Sequence, residues 1–141
     1  MLDAKQIYAV DYHQELLDEL KSNIDSVKIV FLKNDGDNFP NVPNESVDFV
    51  FSFGTFVHLD IDIIDRYLQN IKSLLKPESN VVLQYSDKTK PLAKMNRGFS
   101  ENDPDQMRNL VQSHGYYIYE EDIKTMWHSS LVRFGLRNNA T

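Results

Sequence analysis

The chain has 141 residues, 41% of them apolar, which is enough for one domain with an ordinary core. It has no cysteine, so disulfides, thiolate metal sites and thiol nucleophiles are excluded. Fifteen Lys and Arg against 21 Asp and Glu leave a net charge of -6, so no diffuse basic surface exists for general nucleic-acid binding.

No basic-then-apolar leader opens the sequence, and no apolar run nears the ~20 residues that span a bilayer. The expectations are a cytoplasmic chain, no membrane partner and a single domain over residues 1–141. Two glycosylation-like triplets, Asn44-Glu45-Ser46 and Asn139-Ala140-Thr141, are chance matches in such a chain.

Ile7, Tyr8, Ala9 and Val10 form a short, nearly unbroken apolar run that ends at Asp11, as a buried parallel strand does. Leu16, Leu17, Leu20 and Ile24 then recur at helical spacing. Residues 27–32 read as a second strand closed by the polar turn Asn34-Asp35-Gly36-Asp37, and residues 47–53 read as a third after a loop through Pro40 and Pro43. From Ile61 the set Ile64, Tyr67, Leu68, Ile71, Leu74 and Leu75 marks one long helix stopped by Lys76-Pro77.

Residues 81–86 follow as a fourth strand. Residues 87–100 are basic, Pro-containing and aperiodic, and are expected to form a mobile loop. Asp103-Pro104-Asp105-Gln106 opens a helix with an N-cap acid and a first-position Pro, and Gly115 stops it. Residues 116–119 and 130–136 close the chain as a hairpin, with Met126, Trp127 and His128 in or near its turn. Strands alternating with helices, then a hairpin, indicate an α/β sheet with helices on both sides.

In such a sheet, ligands bind beyond the carboxyl ends of the strands. Asp11 offers two carboxylate oxygens to the hydroxyls of a ribose, or it caps the helix that follows. Asp35 can meet an exocyclic amine, with Gly36 letting the backbone approach a flat ring, or the segment is a plain Asp-Gly turn. His58 is a candidate general base, since imidazole ordinarily titrates near neutrality, or it is a packed structural side chain. His13, His58, His114 and His128 are widely separated, so no metal site is expected. Ser52 is not in a Gly-x-Ser-x-Gly turn, and a serine triad fails.

Taken in order, these pieces resemble the class I S-adenosylmethionine-dependent methyltransferases. The matched features are Tyr8-Ala9-Val10-Asp11, Asn34-Asp35-Gly36 ahead of Phe39-Pro40, and the run from Asn44 to Ser52. After them come Val57-His58-Leu59, Leu74-Leu75-Lys76-Pro77 before a strand, and a closing helix with Gly115-Tyr116 and a hairpin. The resemblance implies a Rossmann-like sheet, mostly parallel with a C-terminal antiparallel hairpin, and S-adenosylmethionine as cofactor.

By that resemblance Asp11 binds the ribose hydroxyls, and Asp35 the adenine amine, with Gly36 beside the ring and Asp37 as a competitor two positions on. Ser52 and Phe53 line the methionine end, while His58, Tyr85, Ser86 and Asp87 face a small-molecule acceptor, a sugar or another metabolite methylated on oxygen or nitrogen. The family's glycine-rich turn after its first strand has no counterpart here, so the chain resembles a methyltransferase domain lacking its first strand and helix. In the family's sheet that strand lies between the strands ending at Asp11 and Ser52. Weakened or absent cofactor binding and a homodimer through an unpaired sheet edge are the expectations that follow. The alternative is a non-catalytic methyltransferase-like module used for dimerisation or partner binding.

Overall fold

The computed structural model describes residues 3–25 and 27–137; the Asn139 triplet lies outside them. The chain divides into two compact units, Met1–Pro43 and Asn44–Thr141.

In the first unit, β1 (Ile7–Asp11) pairs in parallel with β2 (Ile29–Lys33), Ile7 opposite Ile29 and Asp11 opposite Lys33. The crossover is α1 (Gln14–Asn23), as a parallel pair requires. Of its predicted apolar stripe only Leu17 is buried; Leu16, Leu20 and Ile24 stay exposed. The Asn34 N–H donates to the Asp11 carbonyl at 2.9 Å, which holds the carboxyl ends of the two strands together.

The second unit is a four-stranded sheet of order β3-β4-β6-β5. Here β3 is Val47–Ser52, β4 Leu75–Ser86, β5 Tyr116–Asp122 and β6 Ser129–Leu136. β3 runs parallel to β4, and β6 is antiparallel to both β4 and β5. This is the mostly parallel sheet with a terminal hairpin that the sequence implies. A short 3-10 turn at Phe56–His58 follows β3, and the helices are α2 (Ile61–Lys72) and α3 (Pro104–Ser113).

Three local features depart from the sequence reading. α2 stops at Lys72, and Leu75, placed on the helical stripe, opens β4 instead. Pro77 sits exposed where the register shifts between Val47 and Phe49, so its missing N–H breaks no regular ladder. The helices of this unit cover one face of its sheet rather than two. That face carries Val81, Leu83, Tyr85, Val132 and Phe134, all fully buried, and Tyr116 beside Phe134 donates its hydroxyl to the Leu68 carbonyl of α2 at 2.6 Å. On the other face Phe49, Phe51 and Phe53 stack at centroid spacings of 6.3 and 6.4 Å and are 48%, 60% and 57% exposed.

β1 pairs only with β2, and β3 only with β4. Among the described residues each therefore has one edge with no strand beside it.

Candidate functional site

Asp11 ends β1 half-buried, and its Oδ1 accepts the N–H of His13 at 2.8 Å. Since His13 is the N-cap position of α1 and makes no side-chain cap of its own, Asp11 shapes the helix entry with one oxygen. Its Oδ2 has no hydrogen bond among the described residues, so the capping role and a ligand-binding role are compatible.

At the end of β2 the buried Asn34, 2% exposed, accepts the Gly36 N–H on its Oδ1 at 3.2 Å. Asp35 is exposed, and its Oδ2 accepts from Asn38 Nδ2 at 3.1 Å. Gly36 holds φ +107°, where side-chain-bearing residues are strained, and a Cβ there would lie 3.9 Å from the Tyr12 ring. Asp35, Gly36 and Tyr12 thus gather beside Asp11 at one end of the β1–β2 pair. A concave region of about 620 Å³ lined by Lys21, Ile24, Val27, Ile29 and Phe31 lies toward the opposite end of the strands and shares no residue with this group. Tyr12 escaped the sequence reading, and Asn34 entered it only as part of the polar turn; an aromatic directly after a strand-end acid was the available signal for Tyr12.

In the second unit, Ser52 ends β3 and Phe53 is exposed. Gly54 donates its N–H to Gln84 Oε1 at 2.7 Å, and Gln84 Nε2 donates to Ser129 Oγ at 2.8 Å. Gln84, 2% exposed, therefore braces the turn after β3 against β4 and β6.

His58 is exposed rather than packed, and its Nδ1 lies 2.8 Å from the Gly98 carbonyl oxygen. A carbonyl only accepts, so the proton sits on Nδ1 and a neutral ring keeps the Nε2 lone pair free. Phe99 stands edge-on to His58 and to His128, with centroids 5.4 and 5.6 Å apart. His128 was not singled out from sequence; its Nδ1 is buried without a hydrogen bond.

Tyr85, Ser86 and Asp87 are all buried at the end of β4. Burial first, and then the charge of Asp87, push the Tyr85 phenol well above the ordinary tyrosine range. Asp87 Oδ1 accepts from the backbone N–H and hydroxyl of Thr89, and Oδ2 from Ser130 Oγ at 2.7 Å. Lys90 Nζ lies 3.9 Å from Oδ2 and donates to the carbonyls of Met126 and Ser129 at 2.7 and 2.6 Å. Residues 87–100 are thus tied down by their own charged groups; the expected mobile loop is a braced one.

With these placements in hand, the fold can be set beside known proteins. A S-adenosylmethionine-dependent methyltransferase from Clostridium acetobutylicum superposes with a TM-score of 0.77 at 12% identity, covering 94% of this chain and 75% of that one. One from Mesorhizobium loti gives 0.76 at 12% identity, covering 93% and 80%. LepI in complex with S-adenosylmethionine gives 0.73 at 15% identity, covering 96% of this chain and 37% of the LepI chain. At these identities the likeness defines the class of fold, the Rossmann-like α/β sheet of methyltransferases. A methyltransferase-domain family model matches residues 1–78, more than half of the chain. The chain belongs to this methyltransferase family. No curated protein matches it.

Proposed function

We propose that the chain is a S-adenosylmethionine-dependent methyltransferase domain acting on oxygen or nitrogen of a small molecule. The observation that carries this reading is the juxtaposition of Asp11 and the Asp35-Gly36 turn at the ends of two hydrogen-bonded parallel strands, joined at the Asn34 N–H to Asp11 carbonyl bond of 2.9 Å. A carboxylate oxygen with no partner and a glycine cradle beside an aromatic ring fit the ribose and the adenine of one adenosine.

Asp11 takes the ribose hydroxyls through Oδ2, and Asp35 takes the adenine amine, with Gly36 and Tyr12 against the ring. When bound, the cofactor would supply an electrophilic methyl group to the lone pair of the acceptor. Much of the acceleration is positional. His58, through Nε2, receives the proton that a hydroxyl or amine acceptor gives up. Tyr85 and Ser86 stand beneath the acceptor, while Asp87 holds the loop that bounds it.

Calorimetric titration with S-adenosylhomocysteine tests the reading. Binding is expected, and Asp11→Ala and Asp35→Ala should each weaken it about tenfold, the equivalent of one charge-assisted hydrogen bond. Binding that neither substitution alters would overturn the site.

A further inference from the structure

We propose that the second unit carries a peripheral membrane-binding face that docks on an anionic lipid surface. The face is built by residues 88–100, after β4, and residues 123–128, between β5 and β6. Lys90 joins the two segments through its bonds to the Met126 and Ser129 carbonyls, and the Phe99 ring meets His128 across them.

This surface exposes large apolar side chains where a solvated loop gains nothing from them. Met95 and Trp127 are each 75% exposed, Ile123 40% and Leu92 38%. Their backbones are fixed in advance, since Ala93 between Leu92 and Met95 is buried and successive turns bond Ala93 to Lys90 and Phe99 to Asn96. Rigid anchors lose little freedom on docking.

Charge selects the occupant. The two segments contain five Lys and Arg and no Asp or Glu; the chain totals -6, so the remainder carries -11. Lys90 is buried in its bonds, and Lys88 pairs with Asp103 at 3.3 Å. Lys94, Arg97 and Lys124 remain exposed with no ion pair among the described residues. Trp, Met and Leu interleaved with cations on one rim match the border between headgroups and acyl chains. Each cation near an anionic surface multiplies partitioning roughly fivefold, three together roughly a hundredfold. No described helix is long and apolar enough to cross a membrane, and docking of this kind needs none.

Trp127 is the only tryptophan, so its fluorescence reports the face directly. The full chain is mixed with vesicles of phosphatidylglycerol and phosphatidylcholine in equal parts, and separately with phosphatidylcholine alone. The expected result is a blue shift and co-sedimentation with the anionic vesicles, at least tenfold weaker on the neutral ones and reversed by high salt. The combined Lys94→Glu, Arg97→Glu and Lys124→Glu variant should lose binding with its circular dichroism unchanged, whereas Phe51→Ser, outside the face, should keep it. Absence of binding, equal binding to neutral vesicles, or loss in Phe51→Ser with retention in the triple variant overturns the proposal. So does a blue shift that follows protein concentration rather than lipid.

Discussion

His58 Nδ1 and the Gly98 carbonyl oxygen are 2.8 Å apart although 40 positions separate them in the chain. The bond makes the loop after β4 the element that decides which nitrogen of His58 faces outward. Long-range proton–nitrogen NMR should find the neutral ring protonated on Nδ1. His58→Ala is expected to lower turnover on an acceptor that must lose a proton by about a hundredfold, within the usual range for a general base. S-adenosylhomocysteine affinity should not change.

Asp87 is 1% exposed, and its carboxylate serves Thr89, Ser130 and Lys90. Asp87→Ala leaves the Lys90 ammonium, 12% exposed, and the buried Ser130 hydroxyl without their acceptor. Urea denaturation should show a loss of about 3 kcal/mol, the scale of a broken buried pair. Serine at 87 should restore little of it, since a hydroxyl cannot accept from three donors at once.

Two carboxylates of the second unit add to its stability only while they are ionised. Asp103 caps α3, its Oδ1 accepting the Gln106 N–H at 2.8 Å; that bond first, and the Lys88 ammonium after it, hold the carboxyl below its ordinary range. Asp122 is lowered to about 2, chiefly by the Thr125 N–H, then by the Thr125 hydroxyl and the Lys124 N–H. Because both folded values lie below the unfolded ones, their contribution is complete above the ordinary aspartate value of 3.8 and fades as pH falls through the folded values. NMR titration of the carboxyl carbons should place both midpoints under 3.8. Asp103→Ala should cost about 1 kcal/mol at neutral pH and flatten the acid limb of the stability profile.

β3 has one edge unpaired among the described residues, and it presents the stacked Phe49, Phe51 and Phe53 with no charge among them. Open N–H and C=O groups beside apolar side chains favour pairing with a second copy. Sedimentation velocity should show association rising with concentration, and Phe51→Lys should shift the distribution to the monomer. An unchanged distribution in that variant would remove the edge from the account.

The strand ends that carry Asp11, Asp35 and Ser52 were legible because each closes a short apolar run with a polar turn, a local signal. The start of β4 was not: Leu74 and Leu75 continue the helical spacing of Ile64 to Ile71, and only the pairing of Leu75 with Val47 decides for strand. The braced loop at residues 87–100 was misread as mobile because its stiffness comes from Asp87, Lys90 and His58 meeting partners on distant segments. Gln84 escaped for the same reason. An amide inside a strand reads as a surface residue until the Gly54 N–H and Ser129 hydroxyl are known to meet it.

Among the described residues the first unit has two strands, one helix and Leu17 as the one buried apolar side chain of α1. A two-stranded sheet is marginal by itself, so amide hydrogens in Ile7–Asp11 should trade with solvent early. An adenosine clasped between Asp11 and Asp35 would then serve as interior as well as cargo, and its arrival would be written in deuterium uptake before any product formed.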